Sequence, residues 1–174
     1  YYMLDLNGFK LKELTKIAPW IDAAKLCQKK PFSFTASDGQ TVHGYITLPL
    51  NYSEGSPVPM IVNPHGGPWA RDTWRLSWYF DNEPQFFANR GFAVLQVNFR
   101  GSTGFGAQFF DAHKQNVERM YLDTIEAAQS AIDAGYAHAD RIGIAGASWG
   151  GYKTMLCLVK NPDFFKFGIN LFGV

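Results

Sequence analysis

The chain has 174 residues, 47% of them hydrophobic and 16% aromatic, enough to bury a sizeable core and too apolar for a disordered segment. Its 16 basic and 15 acidic residues are scattered and leave a net charge of +1, which excludes binding to nucleic acid or an anionic membrane by bulk charge. No apolar run approaches the roughly 20 residues of a membrane-spanning helix, and the first residues lack the charged and apolar regions of a signal peptide.

Residues 1–15 alternate around Asn7-Gly8, a dipeptide that tolerates the positive φ of a tight turn, and so predict a hairpin. Such a ribbon is marginal alone, and the chain does not start with Met; both lead us to expect a piece of a larger protein, whose compartment stays open. A short amphipathic segment over 20–26 leads to a second hairpin, 32–35 and 42–48, turning at Ser37-Asp38-Gly39-Gln40. From residue 57 the pattern changes to short apolar strands alternating with helices, which predicts an α/β fold with a mostly parallel sheet covered on both faces. The strands are 59–63, 93–99, 141–145 and 167–172, the last reading as buried on both faces. Helices over 84–90 and 117–134 stop at Gly91 and Gly135; in the longer one Val117, Met120, Tyr121, Ile125, Ala128, Ala131 and Ile132 share a stripe. Cys27 and Cys157 are far apart, and Cys157 sits in an apolar run, so both read as free thiols, with no disulfide framework and no metal or cofactor site.

Gly146-Ala147-Ser148-Trp149-Gly150 fits the G-x-S-x-G pattern, directly after an apolar strand and directly before the helical run 151–160. A sharp strand-to-helix turn exposes the serine at the carboxyl edge of the sheet, and the helix beginning there presents unpaired N–H groups to a developing oxyanion. His65-Gly66-Gly67-Pro68 follows the strand ending at Asn63, opens at the same edge, and matches a loop that supplies one oxyanion donor. Ser148 is therefore the candidate nucleophile, with the backbone amides of Trp149 and Gly67 as the candidate oxyanion hole.

These two motifs together with Asn98-Phe99-Arg100-Gly101-Ser102-Thr103-Gly104-Phe105-Gly106 resemble the prolyl oligopeptidase family of serine peptidases, closest to its acylaminoacyl-peptidase and dipeptidyl-aminopeptidase-like branch. The resemblance covers nearly the whole chain and implies an α/β-hydrolase fold, incomplete here and preceded by β-hairpins. Residues 1–30 would be the end of the last β-propeller blade and its linker, with 31–174 the first part of the peptidase domain. Val117-Glu118-Arg119 departs from the family's more glycine-rich and tryptophan-containing stretch.

In this fold the acid and histidine follow the serine, yet no histidine occurs in 149–174. Asp163 follows Asn161-Pro162 and reads as a turn residue; His65 precedes the serine and reads as making a local structural hydrogen bond; His43, His113 and His138 read as isolated surface or loop positions. The chain alone is thus expected to be inactive, truncated before its proton-transfer pair, and to self-associate or pair with the missing part through its last strand. The substrate implied is a short peptide; a carboxylesterase or a catalytically dead scaffold would carry the same motifs.

Overall fold

The computed structural model describes residues 1–16, 18–74, 82–115 and 117–174. A separate two-stranded ribbon pairs β1 (Tyr2–Asp5) with β2 (Lys10–Glu13). The main sheet is built from β3 (Gln28–Thr35), β4 (Thr41–Leu48), β5 (Val58–Val62), β6 (Ala93–Asn98), β7 (Ala137–Ala147) and β8 (Phe167–Leu171). Four helices accompany it among the described residues: α1 (Asn82–Ala88), α2 (Ala107–Gln115), α3 (Val117–Asp133) and α4 (Trp149–Lys160).

The spatial order of the sheet is β3-β4-β6-β5-β7-β8. The β3–β4 hairpin and the β4–β6 pair are antiparallel, whereas β6, β5, β7 and β8 run parallel, as expected for strands joined by helices. β6 is buried along its whole length because helices cover both of its faces. Leu95 and Val97 pack with Met60, Val62, Ile142, Ile144 and the small residues Ala127, Ala128 and Ala131 of α3. Val94, on the opposite face, meets Cys27, Ala88 and Phe87 of the α1 side.

Several elements differ from their sequence-based outlines. In the first hairpin the positive φ falls on Phe9 (49°) rather than on Asn7 or Gly8, and the Asn7 N–H donates to the Asp5 carboxylate at 2.9 Å. The segment over 20–26 holds only one 3₁₀ turn, Ala23–Lys25, capped by Asp22, and Trp20 is exposed. β3 starts at Gln28 and includes Pro31, which is tolerated because β3 is an edge strand with a single neighbour. β7 begins four residues before Arg141: the exposed residues 138–141 hid the strand, and its pairing with β5 shifts register between Val58 and Met60. α2 was not expected. On α3 the apolar stripe holds except at Val117, which is 48% exposed at the first turn. β8 is exposed rather than buried on both faces; among the described residues β7 alone pairs with it. Gly91 and Gly135 do stop their helices with φ of 91° and 77°. Both cysteines are free and buried. Among the described residues no helix is long and apolar enough to cross a membrane, and no group of three or more His, Cys, Asp or Glu residues could hold a metal ion.

Candidate active site

The strand order reverses at β5, with β6 on one side and β7 on the other. Loops leaving the carboxyl ends of β5 and β7 therefore diverge and open a crevice, the usual location of a site in a parallel sheet. The loop after β5 carries His65-Gly66-Gly67-Pro68, and the loop after β7 is Ser148 itself.

Ser148 occupies φ 54°, ψ −121°, between the last residue of β7 and the first of α4. That conformation costs a non-glycine residue about 1–3 kcal/mol and persists only where the surroundings over-determine it. Here its N–H donates to the Leu171 carbonyl and its carbonyl accepts from the Tyr152 N–H, both at 3.0 Å. Two glycines make the bend sterically possible. A Cβ on Gly146 would stand 2.5 Å from the Gly150 carbonyl group, and one on Gly150 would stand 2.1 Å from the Pro64 carbonyl oxygen. The second contact also brings the loop after β5 onto the first turn of α4. The Ser148 side chain is half-buried and makes no capping hydrogen bond to its helix.

Asn63 stitches the two loops together at their base: its Nδ2 donates to the Ala145 carbonyl at 2.7 Å and to Glu83 at 3.0 Å. Gly66 then faces the bend, its Cβ position lying 3.5 Å from Ser148 Cβ and 4.0 Å from Oγ. His65 holds the next peptide unit. Its Nδ1 lies 2.7 Å from the Gly66 carbonyl oxygen, and since a carbonyl can only accept, the ring proton is assigned to Nδ1. Nε2 then faces the Ser102 hydroxyl at 2.8 Å, whose single proton is shared between Nε2 and the Phe99 carbonyl oxygen at 2.6 Å. The imidazole stacks on Phe99 with centroids 4.3 Å apart. Burial, reinforced by the charge of Lys153 and opposed by the Gly66 carbonyl, pushes its pKa down to about 4, so the ring is neutral near pH 7. In a trans peptide the C=O and N–H point in opposite directions, so the imidazole grip on Gly66 O turns the Gly67 N–H away from His65.

A buried ion network fixes the loop that carries Ser102. The Arg100 N–H donates to Asp123 Oδ2 at 2.9 Å, and its guanidinium pairs with Asp123 at 2.6 Å and with Asp38 of the β3–β4 turn. Arg119 joins Asp38, Asp123 and Glu126, and Glu126 accepts from Ser37. Burial works against the Arg100 charge, but Asp123 and Asp38 overcome it and raise its pKa. The chain of support runs from α3 through Asp123, Arg100 and Ser102 to His65 and Gly66.

Lys153 lies under the bend on α4, fully buried, with Nζ donating to the Met120 carbonyl at 2.8 Å and lying 3.2 Å from the Phe99 ring centroid. Burial pushes its pKa down to about 7, although the nearby Cys157 and Asp123 pull it up. The unfolded chain therefore binds a proton that the folded chain gives up between pH 7 and 10.5, and stability rises with pH in that window, by at most about 1.4 kcal/mol per unit. Cys157, whose thiol burial pushes up to about 11 from 9.0, acts in the opposite sense above pH 9. Urea unfolding at pH 7, 8 and 9 is expected to show rising stability that Lys153→Met flattens; an unchanged slope in the variant would assign the effect to another group.

The other candidates lie apart. His43 is exposed on β4 and stacks on Phe105, His138 is exposed on β7, and Asp163 is exposed in the turn after α4. The His113 side chain falls outside the described residues. Both His65 nitrogens are engaged, Nδ1 by Gly66 of its own loop and Nε2 by Ser102 of the loop after β6, which leaves no lone pair directed at Ser148. Sequence reasoning missed Ser102, Asn63 and Lys153. The N-F-R-G-S run signalled the first of these, but its partner lies 37 positions away.

Known proteins share this architecture. The sequence profile of the prolyl oligopeptidase family matches residues 78–174. Dipeptidyl aminopeptidase BIII of Pseudoxanthomonas mexicana is 37% identical over 180 residues, covering 99% of this chain and 26% of that protein. The acylamino-acid-releasing enzyme of Mus musculus is 33% identical over 119 residues, 68% of this chain and 16% of its own length. Among solved structures, a puromycin-hydrolysing peptidase from Mycobacterium tuberculosis superimposes with a TM-score of 0.83 at 31% identity, over 99% of this chain and 26% of that one. Pyrococcus horikoshii acylaminoacyl peptidase gives 0.81 at 28% identity, over 99% and 27%. The chain thus spans about a quarter of the length of such relatives. An α/β-hydrolase sheet, a strained serine between β7 and α4, and a profile match over more than half of its length establish that this chain belongs to the prolyl oligopeptidase family.

Proposed function

We propose that this chain supplies the nucleophile and the oxyanion-binding groups of a serine peptidase that cleaves short peptides. The observation that carries the reading is the approach of Gly66 to within 4.0 Å of Ser148 Oγ, measured from its Cβ position, at the strained bend. In the proposed mechanism Ser148 Oγ attacks the peptide carbonyl carbon, and the N–H groups of Gly67 and Trp149 stabilise the oxyanion. The serine proton passes to a histidine and then to the amine as the C–N bond breaks; water hydrolyses the resulting acyl-enzyme by the reverse relay. The histidine of this relay is not His65, whose ring nitrogens are engaged by Gly66 and Ser102, and none occurs in 149–174.

In this reading residues 1–30 close a preceding propeller, and 31–174 open the peptidase domain. The exposed β8 edge, with Phe167 and Ile169 at its surface, is where the remaining sheet or a second copy joins. The exposed apolar ribbon of β1 and β2, a surface that asks for a neighbouring domain, favours a peptidase over a carboxylesterase. A fluorophosphonate probe tests the reading in a polypeptide that continues past Val174. We expect one adduct, on Ser148, together with hydrolysis of peptide anilides. Ester cleavage without amide cleavage would point to a carboxylesterase, and no adduct at all to a non-catalytic scaffold.

A further inference from the structure

The loop beyond His65-Gly66-Gly67-Pro68 carries an arginine that the proposed chemistry does not use. Arg71 is exposed, and among the described residues its guanidinium has no hydrogen-bond or ion-pair partner. Its neighbour Asp72 turns inward: the Asp72 N–H donates to Asn98 Oδ1 at 2.8 Å and its carboxylate accepts from Gln96 Nε2 at 2.8 Å. Arg71 is consequently directed outward from a fixed base. Its guanidinium is laid on the backbone of Gly104, where φ is +89° and a Cβ would stand 2.2 Å from Nη1 and 3.0 Å from Cζ. The Thr103 N–H donates to the Ala70 carbonyl at 3.0 Å, which locks the two loops together. A side chain at 104 would displace the guanidinium, so Arg71 as it stands lies across the loop that follows β6, next to Phe105.

One residue further on, Phe105 lines a hollow of about 490 Å³ with Phe32, His43, Tyr45 and Trp74. His43 stacks on Phe105 at 5.6 Å, and Tyr45 and Trp74 meet at 6.1 Å. The Lys29 ammonium lies 4.8 Å over the Tyr45 ring, so the hollow is aromatic in its walls and positive at its margin. Its volume suits one aromatic side chain with room for its backbone. A planar guanidinium with a forked set of donors matches a carboxylate.

We propose that Arg71 and this hollow form a substrate subsite that binds a carboxylate beside an aromatic side chain, such as the C-terminal residue of a short peptide. The assignment rests on the peptidase reading for its substrate class, but its test needs neither Ser148 nor a complete triad. The chain is titrated by calorimetry with N-acetyl-Gly-Phe as the free acid and as the amide, with N-acetyl-Gly-Ala acid, and with N-acetyl-Asp-Phe amide. The Phe acid is expected to bind about tenfold more tightly than its amide, the worth of one charge-assisted contact. Arg71→Ala should bring that ratio to one while thermal unfolding stays unchanged, and Trp74→Ala should weaken the Phe acid but not the Ala acid. Tighter binding of the Asp-Phe amide than of the Gly-Phe amide, lost in Arg71→Ala, would place a side-chain carboxylate on the arginine instead of the chain terminus. Equal affinity for acid and amide in the parent chain, or a preference that survives Arg71→Ala, would overturn the proposal, and fluorophosphonate labelling reports separately on Ser148.

Discussion

Ser148→Ala is expected to lower amide turnover by about 10⁶-fold in a polypeptide that brings the proton-transfer pair to this segment, leaving roughly 10³ to 10⁴ over water. The loss is large because the oxygen that forms the acyl bond disappears, while substrate binding and the oxyanion donors remain. Stability should change by no more than about 0.5 kcal/mol, since the removed hydroxyl makes no capping hydrogen bond and alanine inherits the same backbone strain. Steady-state kinetics and thermal unfolding on the purified pair of proteins check both halves. Turnover within tenfold of the parent would remove Ser148 from the mechanism.

His65→Ala is expected to lower kcat by about 10²- to 10³-fold with little change in KM, the loss associated with one oxyanion-hole donor. The imidazole does not touch the reacting atoms in the proposed mechanism; it positions them. Its Nδ1–H holds the Gly66 carbonyl at 2.7 Å, and without that grip the Gly66–Gly67 peptide is free to rotate and withdraw the Gly67 N–H. His65→Asn places an amide N–H near the position of Nδ1 and should recover part of the loss, whereas His65→Leu should not. A purely structural role predicts a falling melting temperature and no difference between Asn and Leu in kcat. With its pKa pushed down to about 4, His65 stays neutral through pH 5 to 8, so its grip should not create an acid limb in the pH–rate profile above pH 5.

The elements that carry the candidate site were the most legible in the sequence, for a steric reason. Gly146 and Gly150 flank Ser148 because close approaches of 2.5 Å and 2.1 Å leave no room for a Cβ, and a requirement of that kind shows as residue identity at fixed spacing. The parallel strands were legible because burial on both faces demands short, uniformly apolar runs, as in β6. Legibility fell where burial is one-sided or absent: the polar start of β7 at residues 138–141, the edge strand β3 with its Pro31, and β8, whose apolar sequence pairs on one side with β7 and has no second neighbour among the described residues. α2 escaped because Ala107–Gln115 follows a glycine-rich loop and only Phe109 among its described side chains reaches the core.

The local sequence alone determined the strand–bend–helix around Ser148 and the glycine loop after β5, because both depend on the conformations neighbouring residues permit. Tertiary structure decided what touches them. Arg100 meets Asp38 of the β3–β4 turn and Asp123 of α3, Ser102 meets His65, and Arg71 lies across Gly104, contacts set by the sheet order β4-β6-β5 and by the packing of α3. Such contacts join residues tens of positions apart, and their energies depend on burial and direction, which no local pattern of residue types encodes.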